Sequence, residues 1–97
     1  MRREIIFAPE AVQDLKRLSA RDRAVICDAI ERYLRHDADQ ARGSRVKHLR
    51  GLSQPQYRLR VEEFRVFYGV SDDAVEVLAV VPKSGTSAWL EEMGRQE

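Results

Sequence analysis

The chain has 97 residues, of which 43% are hydrophobic and 34% charged, and its formal net charge is +1. That length suits a single domain over residues 1–97 with one core, and the periodic placement of its apolar residues excludes a disordered chain. Cys27 is the only cysteine, so no intramolecular disulfide can form, and no apolar run approaches the length of a membrane span.

Met1-Arg2-Arg3 lacks the long apolar region of a signal peptide, so a cytoplasmic location without membrane attachment is expected. Residues 3–8 predict a first strand centred on Glu4-Ile5-Ile6-Phe7. Pro9 suits the first turn of a helix, whose apolar face is Ala11, Val12, Leu15 and Leu18. Ser19, with Asp22 three residues on, predicts the N-cap of a second helix. Its buried stripe is Val25, Ile26, Ala29, Ile30, Tyr33 and Leu34. The short break between the two makes them an antiparallel pair. Residues 36–45 are polar and include Gly43-Ser44, as in a loop, and His36 sits where it would favour the preceding helix dipole. Residues 46–52 fit either an extended stretch or a turn leading to Pro55. Residues 57–61 and 64–68 alternate apolar and polar on either side of Glu62-Glu63, which predicts a hairpin. After the turn Ser71-Asp72-Asp73, residues 74–81 are nearly all apolar and predict a central strand buried on both faces. Pro82 ends it, and Ser84 or Thr86 caps a short terminal helix through Trp89, Leu90 and Met93. The expected fold is α+β. Two N-terminal helices pack on a mostly antiparallel sheet of three or four strands, in two layers, with a short C-terminal helix.

The hairpin holds the most informative residues. Arg58 and Arg60 share a strand face. If Val61 pairs with Phe64, Arg60 lies directly opposite Arg65. Like charges in that position destabilise a sheet, so a third cation beside them points to an anion to be met there. The ordinary alternative is a solvated face whose arginines bond to Glu62, Glu63 or Glu76. The charge distribution supports the first reading. Residues 41–65 hold seven Lys or Arg against two Glu, a net of +5, whereas residues 66–97 hold two against six, a net of −4. Such polarity concentrates a phosphate backbone locally even in a nearly neutral protein.

Taken together, Lys47-His48-Leu49-Arg50-Gly51-Leu52, Tyr57-Arg58-Leu59-Arg60-Val61, Phe64-Arg65-Val66-Phe67-Tyr68, residues 75–81, Lys83 and Trp89 resemble the RelE/ParE superfamily of bacterial type II toxins. The match covers nearly the whole chain, and the motifs are specific as a set. The resemblance implies a toxin neutralised by a cognate antitoxin protein. In the RelE-like branch, favoured here, the toxin is a hydrolase, an endoribonuclease that cuts mRNA in the ribosomal A site and so inhibits translation under stress. In the ParE-like branch the same fold inhibits DNA gyrase without chemistry. A degenerate toxin acting only in operon regulation is a third reading. The resemblance places Arg58, Arg60 and Arg65 at catalytic basic positions. Where the family pattern has an arginine and then a tyrosine, this chain has Lys83 and Trp89. Lysine lacks the bidentate fork, and tryptophan lacks the hydroxyl.

RNA cleavage needs no metal or cofactor. It needs proton removal from the 2′-hydroxyl, stabilisation of the phosphorane and protonation of the leaving oxygen. Arginines supply the second. Lys83 is the candidate acid or base, unless it is simply a solvated lysine. Lys47, His48 and Arg50, in the basic segment, are candidate RNA contacts together with Arg58, Arg60 and Arg65. His48 is also weighed for proton transfer against an ordinary surface histidine. Trp89 is either a helix anchor or a stacking platform. Glu62 and Glu63 are weighed as a general base, but they are expected to be turn residues pointing away from a phosphate, which a carboxylate would repel. Cys27 reads as a core or boundary residue. One cysteine and two distant histidines do not make a zinc site, and there is no glycine-rich phosphate loop.

Overall fold

A computed structural model describes residues 2–39, 45–51 and 54–96. The Gly43-Ser44 loop and Leu52 of the motif lie outside the described residues. In chain order the elements are β1 (Glu4–Phe7), α1 (Pro9–Lys16), α2 (Ala20–Leu34), β2 (Val46–His48), β3 (Tyr57–Val61), β4 (Phe64–Val70), β5 (Ala74–Pro82), a 3-10 turn (Lys83–Gly85) and α3 (Thr86–Gln96). Pro9 opens α1 where its missing N–H costs nothing. Ser19 caps α2, its hydroxyl accepting from the Asp22 N–H at 3.1 Å.

The sheet has five strands in the order β1-β5-β4-β3-β2, more than the three or four expected. Two pairings account for the difference. The three-residue β2 adds antiparallel to β3, with Val46 opposite Leu59 and Lys47 opposite Arg58. β1 pairs parallel with β5, Ile5 opposite Val75 and Phe7 opposite Val77. β1 ends there, and the Asp14 carboxylate of α1 accepts the Val80 N–H at 3.0 Å, so the open edge of β5 stays satisfied.

The helix pair buries Ala11, Leu15, Ile26, Ile30 and Leu34 against Leu59, Val66, Tyr68, Val75, Val77 and Val80. On the opposite face, Phe67, Ala79 and Val81 lie under Leu49, Trp89 and Leu90. The expected two layers therefore gain a partial third, because α3 folds back over the second face. A register shift makes β5 serve both layers. Phe67 opposes Ala79 while Tyr68 opposes Val77, which leaves Leu78 as the extra residue of a bulge. Strict alternation would put Val77, Ala79 and Val81 on one face. The bulge sends Val77 to the helix pair, and Ala79 and Val81 to α3.

Candidate anion-binding site

The two-residue turn Glu62-Glu63 sets the register that brings the cations together. Glu62 adopts φ 52, a left-handed conformation that such a turn needs at its first central residue. Val61 then opposes Phe64, and Arg60 lies directly opposite Arg65. Arg58 opposes Phe67 on one side and Lys47 on the other. Arg58, Arg60 and Arg65 thus share the face away from the helix pair, as the alternation predicts, and Lys47 joins them.

The three arginines differ in what holds them. Arg65 is 8% exposed, and its Nη1 donates to the Glu62 carbonyl at 3.0 Å and the Phe64 carbonyl at 2.9 Å. Besides sitting on the cationic face, it clamps the hairpin. Arg60 is exposed. Arg58 is half-buried, and its pKa is pushed down, first by burial and then by the charges of Arg65 and Arg60. A bound anion would ease the cost of keeping Arg58 charged in this half-buried, cationic setting.

Lys83 enters from the end of β5. Its backbone N–H donates to the Glu63 carbonyl at 2.7 Å, which ties the start of the 3-10 turn to the hairpin. Arg45, Arg60, Glu62, Glu63, Arg65 and Lys83 line one concavity. Arg45 was not singled out in the sequence, although its alternation with Lys47 across Val46 carried the signal. Its guanidinium also lies 4.6 Å from the centre of the Tyr33 ring, and its carbonyl accepts the Arg60 N–H at 2.8 Å. The two acidic residues part company. The Glu62 carboxylate is bonded to Arg21 of α2, with contacts of 3.2 and 3.4 Å, whereas Glu63 makes no such pair among the described residues and also lines the adjoining concavity with Pro82, Lys83 and Ser84.

The remaining candidates separate. Lys47 and Arg50 line a neighbouring groove that also includes Leu49, the His48 residue and Leu90. The His48 ring turns to Tyr57, with centroids 5.0 Å apart, on the face opposite Lys47. The structure does not bring it to the arginines. Trp89 stacks on Phe67, with centroids 4.6 Å apart and ring planes 13° apart, so it anchors α3. Cys27 is half-buried in α2, and burial pushes its thiol pKa up, which suits a packing role. Among the described residues no His, Cys, Asp or Glu group could hold a metal ion, and no helix is long and apolar enough to cross a membrane.

A family model described as ParE toxin of type II toxin-antitoxin system, parDE, matches residues 5–85. Among solved structures, the chain is similar to the RelB-RelE antitoxin-toxin complex from Methanococcus jannaschii, with 22% identity over 87% of this chain and 96% of that one, at a TM-score of 0.65. It is also similar to the archaeal RelE-RelB complex from Pyrococcus horikoshii, with 22% identity over 86% and 97%, at a TM-score of 0.68. The YoeB dimer from Staphylococcus aureus matches with 23% identity over 84% and 97%, at a TM-score of 0.62. Comparison with curated protein sequences yields no match.

Proposed function

Given that the chain belongs to the ParE toxin family of type II toxin-antitoxin systems, we propose that it is a ribosome-dependent mRNA endonuclease that blocks translation and is restrained by a cognate antitoxin. The observation that carries this reading is the convergence of Arg58, Arg60 and Arg65 on one sheet face beside Lys83. A toxin that acts only by binding a protein needs no such cluster. Arg60 and Arg58 ligate the scissile phosphate, Arg65 adds charge while fixing the hairpin, and Lys83 carries a proton. Lys47 and Arg50 extend the track along the flanking RNA backbone. The reaction is intramolecular attack by the 2′-hydroxyl, a chemistry that can proceed without a metal.

Primer extension on translated messages after induction tests this. Messages cut at the codon in the A site, with free RNA left intact, are the expected outcome. A second reading, ParE-like inhibition of DNA gyrase without chemistry, is favoured by one observation. Trp89 is committed to stacking on Phe67 and brings no hydroxyl to the site. Replication arrest with gyrase–DNA adducts and intact messages would select it.

A further inference from the structure

We propose that Glu63 is the general base of this site, taking the proton from the attacking 2′-hydroxyl; the proposal rests on the endonuclease reading above. A base must be able to accept a proton near neutral pH. Guanidinium groups cannot, which removes Arg45, Arg60 and Arg65 from the lining of the concavity. Of its two carboxylates, Glu62 is drawn off to Arg21, with contacts of 3.2 and 3.4 Å. Glu63 has no hydrogen bond or ion pair to its carboxylate among the described residues. It lines the cationic concavity and also the adjoining one formed with Pro82, Lys83 and Ser84. Its own carbonyl holds the Lys83 N–H at 2.7 Å, so the backbones carrying base and acid are fixed to each other.

The step balances without any further reactant. The Glu63 carboxylate takes the 2′-hydroxyl proton as the O2′–P bond forms, and the P–O5′ bond breaks. The Lys83 ammonium gives a proton to the departing 5′-oxygen. The products are a 2′,3′-cyclic phosphate and a 5′-hydroxyl, and exchange with water restores both side chains. The arginines hold the charge on the phosphorane.

The test uses the full chain on ribosomes programmed with a short message, in two versions. One has the ordinary A-site linkage, and the other has sulfur in place of the bridging 5′-oxygen, a leaving group that needs no proton. Glu63→Gln is expected to slow cleavage by about 100-fold or more on both messages, with ribosome binding and melting midpoint unchanged. Glu63→Asp, which keeps the carboxylate, retains cleavage. Lys83→Ala is expected to be slow on the ordinary message and restored on the sulfur message. If the wild-type chain cuts but Glu63→Gln cuts within about tenfold of it, or is restored by sulfur, Glu63 is not the base and the endonuclease reading stands. Loss of cleavage in Glu63→Asp equal to that in Glu63→Gln likewise overturns the role. If the wild-type chain cuts neither message, the endonuclease reading fails and the role of Glu63 falls with it.

Discussion

Arg65 and Arg60 stand opposite one another, yet removing them should have different consequences. Arg65 is buried and donates to two hairpin carbonyls. Hydrogen bonds from a charged group contribute about 1.5–3 kcal/mol, so Arg65→Ala should lower stability by that order, read from urea unfolding. Loss of toxicity in that variant would not separate chemistry from folding. Arg60 is exposed, and it pushes on Arg58. Arg60→Ala should leave stability within about 0.5 kcal/mol and still abolish toxicity. A stable, fully toxic Arg60→Ala protein would remove the site assignment. Tyr68 gives a second test on the core side. Its hydroxyl donates to the Ala38 carbonyl at 2.8 Å, and burial raises its pKa above the ordinary 10.0. A raised folded value means that the contribution is full below the unfolded pKa and is lost as pH climbs through 10 toward the folded value. Tyr68→Phe should cost about 1 kcal/mol at neutral pH. It should also flatten the fall of stability above pH 10. An unchanged alkaline limb would show that another group sets it.

At the level of elements, what was legible depended on how local the information was. The register of the β3–β4 hairpin was readable, because Val61, Glu62, Glu63 and Phe64 carry both the alternation and the turn, although β4 runs on to Val70. The Ser19 N-cap of α2 and both helices of the pair were equally local. β2 was not readable, since three residues cannot establish a period, and its strand character comes from pairing with β3. Nor was the parallel β1–β5 contact, which joins Ile5 to Val75 across most of the chain. The bulge at Leu78 is set by the competing demands of two layers and leaves no mark in an apolar run. The candidate arginines were visible for the same local reason as the hairpin. Arg45 and the diverging paths of Glu62 and Glu63 depend on α2 and on Lys83, which arrive from elsewhere in the chain. The position of α3 turns on Trp89. Its stacking on Phe67 is part of the cluster with Ala79 and Val81. Because Trp89 is only half-buried, Trp89→Ala should cost about 2 kcal/mol, below the ~3–5 of a fully buried aromatic. Far-ultraviolet circular dichroism should show loss of helix while the sheet persists. An unchanged spectrum and unfolding midpoint would mean that α3 is held by other contacts.

Across the whole molecule, the two sheet faces have opposite characters. The helix pair closes one with an apolar core, while the other carries Lys47, Arg58, Arg60 and Arg65 beside the part covered by α3. The pKa of Arg58 is pushed down first by burial and then by the charges of Arg65 and Arg60. Any partner that neutralises this face should stabilise the toxin, because it binds the folded form and relieves that repulsion. An antitoxin segment suited to the task would alternate acidic and apolar residues, be disordered alone and fold on contact. It would wrap the helix pair and then either cover the arginines or displace α3. Three measurements distinguish such a partner from an incidental one. The melting midpoint of the toxin should rise on adding the neighbouring gene product. Association, followed by stopped flow, should slow by about tenfold or more between low and high salt, while dissociation changes little, since charge steers the encounter and apolar anchors set the lifetime. Arg60→Glu should slow association further and reduce the gain in melting temperature. If the neighbouring product binds with salt-independent kinetics and leaves toxicity intact, the basic face is not the surface that an antitoxin must silence.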